Sequence, residues 1–283
     1  MSDKDKIKVC VIGGNGYVGK AVVELFERHP DFVVYSRDKG LTANAGEGAD
    51  LGVVCVPTPM DKYGHCDTSI VEEVIAESDF PLYLIKSAVQ PGTTDFLRAK
   101  LQKNIVVSPE YIGEGLYPMP FWEGIPHPTD MSIHNFQIFG GEKKDTTRMV
   151  ELFSRILGPY CRFFQTDSKT AELTKYMENC FFATKITFCH EFSRIAEAFG
   201  VDYNELRELW LADGRVNRGS TAVFDKNKLG YGGKCLPKDI SGIYHAAKER
   251  GFESKLLKEV METNRSLRTG WRTLPMEETN EKI

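Results

Sequence analysis

Residues Gly14-Asn15-Gly16-Tyr17-Val18-Gly19 carry a G-x-G-x-x-G spacing between an apolar run at 7–12 and a segment of helical periodicity at 20–28. Few short patterns restrict a fold as much. In a strand–turn–helix context the first glycine makes a tight turn and the second lets a pyrophosphate approach the backbone. The third lets helix and strand pack closely. Free N–H groups at the start of the helix then attract phosphate. The alternative is a tight turn with no ligand. The context predicts a dinucleotide site built from Gly14, Asn15, Gly16, Tyr17, Val18 and Gly19.

The strand at 32–36 ends in Ser36-Arg37-Asp38. An NAD site usually carries an acid there for the ribose 2′-OH. Ser36 and Arg37 would instead hold a 2′-phosphate, which favours NADP, unless Asp38 swings back; both stay open. Residues 37–51 are too few for a further strand and helix, so the third strand of a full dinucleotide fold is expected to be absent or vestigial. Strands at 52–56, 81–87 and 104–107 each run into a polar, turn-rich segment. Ligands of open α/β sheets sit at such carboxyl ends, which puts Pro57, Thr58 and Ser87 beside a cofactor. Helices are expected at 68–78 and after Gly92, the latter capped by Thr93 or Thr94. Residues 116–135 are irregular. A strand at 136–141, a helix at 143–157 and a strand at 161–165 complete the sheet.

The period then changes. From 168 to 200 there is no proline, and Leu173, Met177, Phe181, Thr184, Phe188, Phe192 and Ile195 recur at three and four. This predicts one helix of roughly 48 Å, long enough to pack against a second subunit. Lys175 and Asn179 share one of its faces, and on spacing alone they read as a solvated lysine and a neutral polar residue. Further helices are expected at 202–211, 240–250 and 254–268. The fold class is therefore α/β: a Rossmann-like, mostly parallel, doubly wound sheet with a trimmed third strand, then an all-α domain with a long central helix. The domains are expected at 1–165 and 166–272, followed by a polar tail at 273–283.

A formal net charge of -4 argues against nucleic acid as a partner. No apolar run reaches the length of a membrane span, and the polar N-terminus does not read as a signal peptide. The 7 cysteines form no C-x-x-C pair and no framework. That predicts free thiols in a reducing, cytoplasmic setting, with Cys10 and Cys55 in the core. No metal spacing is present among the histidines; His127 and His134 fall in a loop-like region.

Near the end of the chain, Leu229-Gly230-Tyr231-Gly232-Gly233-Lys234-Cys235-Leu236-Pro237-Lys238-Asp239 sets a cysteine between two lysines after a glycine run. Glycines let a backbone approach another molecule, and nearby cations favour a thiolate. The stretch reads either as a presented nucleophile or as a glycine turn with a structural cysteine. Asp239 is expected to cap a helix beginning near Ile240.

Taken in order, the glycine motif, Val56-Pro57-Thr58-Pro59, Lys86-Ser87-Ala88-Val89-Gln90-Pro91-Gly92-Thr93, Pro109-Glu110-Tyr111, Glu114-Gly115, Lys175-Tyr176-Met177-Glu178-Asn179, Asp213-Gly214-Arg215 and the Gly/Cys stretch resemble the UDP-glucose/GDP-mannose dehydrogenase family. The resemblance runs from about residue 7 to residue 268. It implies oxidation of a nucleotide-sugar primary alcohol to a carboxylate with two NAD in turn, through a thiohemiacetal and a thioester on Cys235. Lys175 would stabilise the oxyanion with Asn179, Asp239 would orient or activate water, and Glu114 would serve as acid/base near the sugar. Glu110, Tyr111, Glu114, Lys175, Asn179, Arg215, Tyr231, Gly232 and Gly233 would contact the substrate, with Arg215 offered by this chain or by a partner subunit, and Lys238 would approach the cofactor. The long helix would join a homodimer.

The sequence departs from the family at Ala88, where a threonine is common, and at Gly113, where an arginine is common. The family continues past the helices into another α/β domain, whereas this sequence ends at Ile283, so a shortened form is expected. Two rival readings remain. One is a two-electron NAD(P)-dependent dehydrogenase of a small hydroxy acid, worked by Lys175 and Asn179 with Cys235 idle. The other is a non-catalytic dinucleotide-binding module.

Overall fold

The computed structural model describes residues 6–39, 45–112, 130–223, 225 and 228–269. Glu114, Gly113, His127 and the tail at 273–283 lie outside the described residues. Packing divides the chain into two compact units, Met1–Met177 and Glu178–Ile283.

The first unit holds strands β1 (Ile7–Ile12), β2 (Phe32–Arg37), β3 (Leu51–Val54), β4 (Tyr83–Ile85), β5 (Ile105–Val107), β6 (Phe136–Gly140) and β7 (Arg162–Thr166). They form one sheet in the order β2-β1-β3-β4-β5-β6-β7. The strand pairs are parallel, as in β1 with β2 and β3, except β5 with β6, where Val107 opposes Gly140. Helices α1 (Tyr17–Glu27), α2 (Ser69–Ala76), α3 (Thr93–Leu101) and α4 (Lys143–Leu157) pack on it. Both faces are covered, which is why the strands read as unbroken apolar runs. Val9 and Val11 of β1 join Val22, Leu25 and Phe26 of α1 and Phe153 of α4 in one layer. Cys10 and Ile12 face the other way, toward Val71 and Ile75 of α2 and Leu97 of α3. Each such fully buried Leu, Ile or Phe contributes roughly 1.5–3 kcal/mol. Among the described residues no strand lies between β2 and β3, so β2 forms the sheet edge and the third strand is missing as expected. The tips of β1, β2 and β3 end level, with Ile12 opposite both Arg37 and Val54.

The long helix is α5 (Ser168–Ala198), whose 31 residues run on from the first unit into the second. The second unit adds α6 (Tyr203–Trp210), α7 (Cys235–Glu249) and α8 (Lys255–Thr269). Cys180 and Ala183 of α5 pack there against Tyr231, Ile240 of α7 and Val260 of α8. A smaller cluster joins Cys189 and Ala196 to Tyr203. The inward face of α5 thus carries small and polar residues, which let neighbouring backbones approach. The stripe of large apolar residues points outward instead: Met177 is 79% and Phe181 60% exposed within the chain.

Two boundaries differ from the expectation. Helix α7 begins at Cys235, not near Ile240. Pro237 is its third residue, where the missing N–H has no intrahelical partner to lose. Asp239 is therefore inside the helix and is not its cap. Helix α3 is preceded by Gly92 in the left-handed region (φ 101°), and neither Thr93 nor Thr94 is its N-cap. No helix among the described residues is long and apolar enough to cross a membrane.

Candidate active site

In the first unit, the left-handed turn after β1 falls at Gly13 (φ 83°), one residue before the motif's first glycine. Gly14 is required for another reason: a Cβ there would stand 2.2 Å from Ser36 Oγ on β2. Gly19 performs the packing role expected of it, since a Cβ would stand 2.0 Å from the Gly13 carbonyl oxygen. Gly16 precedes α1 with no side chain capping the helix, and the first turn carries no acid. Asn15, Gly16 and Tyr17 are exposed, while Val18 is half-buried. An uncapped helix start without an acid in its first turn, behind a turn too tight for side chains, fits a pyrophosphate.

At the tip of β2, Asp38 turns back onto this turn. Its Oδ1 accepts from the Asn15 N–H at 3.2 Å and its Oδ2 from Asn15 Nδ2 at 2.9 Å. Ser36 Oγ donates to the same Oδ2 at 2.9 Å. A carboxylate therefore stands where the ribose end of a dinucleotide would lie. Arg37 is half-buried beside it.

The segments after β3 and β4 are stitched together. Thr58 Oγ1 donates to the Ala88 carbonyl at 2.8 Å and Ser87 Oγ to the Val56 carbonyl at 2.7 Å. Thr58 is buried, and Pro57 is exposed. A small cavity lies beneath, lined in part by Ala88, Glu110 and Lys175. Lys175 Nζ is 3.8 Å from Glu110 Oε1 and 5.2 Å from the centre of the Tyr111 ring. Glu110 Oε2 accepts from the Ile112 N–H at 2.9 Å, which fixes the carboxylate. The fold thus brings Glu110, Tyr111 and Lys175 together.

Two charged residues at this cavity were not singled out from the sequence. Lys86, 1% exposed at the end of β4, donates to Ser108 Oγ at 3.1 Å. Burial pushes its pKa down to about 8, against the raising effect of Glu110 and Cys55. A lysine closing an otherwise apolar strand was the available signal. Glu172, one turn before Lys175, accepts from the Gly92 N–H at 2.5 Å and from Thr94 N and Oγ1 at 2.9 and 2.7 Å. It is the acceptor that caps α3. Burial pushes its carboxyl above the usual range, although these donors pull it down.

In the second unit, Cys235 is half-buried on the first turn of α7, where the helix dipole favours negative charge. Asp239, one turn further, is 1% exposed. Its Oδ2 accepts from Asn179 Nδ2 at 2.5 Å, and its Oδ1 pairs with Lys238 Nζ at 2.5 Å. Asn179, Lys238 and Asp239 are thus brought together beside the cysteine's helix turn. Tyr231 lies in the unit's core at 3% exposure, Gly232 is half-buried and Gly233 is exposed. Arg215 is joined to Asp213 by two nitrogens and its side chain is 90% exposed, apart from that cluster's hydrogen bonds.

The fold is a Rossmann-like α/β sheet followed by a helical unit with a cysteine at the start of one helix. Residues 169–266 match the UDP-glucose/GDP-mannose dehydrogenase family, central domain. UDP-glucose 6-dehydrogenase TuaD of Bacillus subtilis is 29% identical over 238 residues, covering 80% of this chain and 48% of its own. Putative UDP-glucose 6-dehydrogenase YtcA of the same organism is 31% identical over 229 residues, covering 75% and 49%. The structure of a UDP-glucose dehydrogenase from Pyrobaculum islandicum has the same fold, with a TM-score of 0.77 and 21% identity over 94% of this chain and 69% of that one. The chain thus carries the central domain of the UDP-glucose/GDP-mannose dehydrogenase family. It spans about half the length of these curated relatives.

Proposed function

We propose that this chain oxidises the primary alcohol of a UDP-glucose-like nucleotide sugar to the uronic acid, in a four-electron reaction. The observation that carries the reading is the buried Asn179–Asp239–Lys238 group one helical turn from Cys235. A cysteine nucleophile and a water-activating acid need such a carboxylate close to the sulfur. The sugar and its carrier are read from the relatives' names.

The cofactor reading is NAD. The Asp38 carboxylate held by Asn15 and Ser36 suits two ribose hydroxyls and repels a 2′-phosphate. When bound, a nicotinamide supplies the hydride acceptor for both oxidations. The chain's residues do the rest. Glu110 takes the alcohol proton, in place of the Glu114 that the resemblance suggests. Lys175, whose Nζ lies 3.8 Å from Glu110 Oε1, then faces the developing negative oxygen. The Cys235 thiolate adds to the aldehyde carbon, and the thiohemiacetal, once oxidised, is a thioester open to water. Asp239, oriented by Asn179, takes a proton from that water. The outward apolar stripe of α5 supports a homodimer, and the cytoplasmic reading rests on the 7 cysteines of the sequence forming no framework.

The test is a screen of UDP- and GDP-sugars with NAD and NADP, following the reduced nicotinamide and the acid formed. Two reduced cofactors per sugar are expected, and no acid from Cys235→Ser. Acid formed by Cys235→Ser rejects the thioester. One reduced cofactor per molecule of a small hydroxy acid, and none with any nucleotide sugar, replaces the reading with a two-electron dehydrogenase.

A further inference from the structure

The glycine segment leading to Cys235 is held by side chains from two helices. The Gly230 N–H donates to His190 Nδ1 of α5 at 2.6 Å. The next amide, on Tyr231, donates to Asn264 Oδ1 of α8 at 2.7 Å. The Tyr231 carbonyl accepts from Arg268 Nη1 at 3.2 Å. Gly230 itself is left-handed (φ 86°), and a Cβ there would stand 2.4 Å from Asn264 Oδ1. Two successive amides and a carbonyl are thus fixed immediately before the helix that carries the cysteine.

His190 supplies the first of these contacts. It is 8% exposed. An acceptor at Nδ1 leaves the ring proton on Nε2. The ring also bonds the Ala222 backbone, and that bond favours the protonated ring, as donation to a carbonyl does. One imidazole therefore ties two points of the connection between α6 and α7. Burial holds its pKa below the ordinary value, so the acceptor nitrogen is retained at neutral pH.

We propose that His190 is a positioning residue for Cys235, its Nδ1 fixing the Gly230 amide so that residues 230–234 deliver the sulfur at the start of α7. This rests on the reading of Cys235 as the nucleophile. The experiment therefore includes a measurement that does not depend on turnover. His190→Phe keeps a ring and removes the acceptor; His190→Asn keeps a short acceptor and removes the ring. Amide hydrogen exchange of the peptide spanning 229–235 is measured on the whole chain, with kcat and KM on the best nucleotide sugar and the rate of Cys235 alkylation. His190→Phe is expected to speed exchange in that peptide and to lower kcat about tenfold. KM is expected to stay within about twofold, because the sugar's own contacts remain. His190→Asn is expected to bring both readouts back toward the parent. Unchanged exchange and alkylation in His190→Phe overturns the proposal, whatever the enzyme turns out to oxidise. So does equal loss in both variants, which marks the residue as packing alone. If the ring analogue does not fold, His190→Leu against His190→Asn makes the same comparison.

Discussion

Asn179 Nδ2 stands 2.5 Å from Asp239 Oδ2, which ties the middle of α5 to the first turns of α7. The carboxylate's other oxygen holds Lys238. Removing the acid leaves two donors facing a buried gap. Asp239→Ala is therefore expected to lower unfolding stability by about 3 kcal/mol and to abolish acid formation. Asp239→Asn retains an acceptor for Asn179, loses the base, and should melt closer to the parent while still failing to release acid. Denaturant titration with product assay separates the two effects. An Asp239→Asn protein that forms acid at the parental rate removes this residue from the chemistry.

The Asp38 carboxylate, drawn onto the glycine turn by Asn15, sets the expected cofactor preference. Replacing it should relieve repulsion of a 2′-phosphate and leave Arg37 to receive one. Asp38→Ser is expected to shift the NADP-to-NAD ratio of kcat/KM by at least about tenfold, or ~1.4 kcal/mol. Kinetics with both cofactors checks this. An unmoved ratio means the acid does not face the ribose.

Much of this arrangement was legible because it is local. The strand–glycine–helix unit at 7–27 declares itself through run length, turn chemistry and period. The absence of a third strand among the described residues follows from too short a connection. What was not legible depends on tertiary placement. Asp239 reads as the cap of a helix beginning near Ile240, yet Pro237 is tolerated at the third helical position, so α7 begins earlier, at Cys235. The apolar spacing of Leu173, Met177 and Phe181 identifies a face of α5 but not its direction. Lys86 and Glu172 acquire meaning only when the sheet brings them to Ser108 and to Gly92.

Glu172 gives a prediction of that kind. It supplies the cap that α3 lacks, and it stands one turn before Lys175. Glu172→Ala strips acceptors from the Gly92 and Thr94 amides and should cost about 1–2 kcal/mol of stability. Because α5 loses its tie to the wall beside Ala88, kcat should fall more than KM rises. A variant with parental kcat would show that Lys175 needs no such anchor.

The outward stripe on α5 carries the dimer expectation. Met177 and Phe181 are 79% and 60% exposed within the chain, and the tilted rings of Phe188 and Phe192 lie 4.6 Å apart. Phe181→Asp is expected to turn a dimer into a monomer by sedimentation velocity. Its melting should change by no more than about 0.5 kcal/mol when monomers are compared. A parent that sediments as a monomer at micromolar concentration ends the dimer reading.

Lys86 makes the pH dependence testable in sign. Its folded pKa is about 8 against an ordinary 10.5, with burial the main cause. The unfolded chain therefore holds this proton more tightly than the folded one. Below pH 8 both states are protonated and the folded state carries the full desolvation penalty. Between pH 8 and 10.5 the folded state has released the proton first, and the penalty is relieved as pH rises. The span corresponds to about 3 kcal/mol. Comparing the parent with Lys86→Met cancels the groups they share. The stability of the parent relative to the variant should therefore rise between pH 7 and pH 10 in denaturant titrations. A difference that stays constant across that range means the ammonium is solvated in the folded chain, and the cavity beside Glu110 is then wet rather than closed.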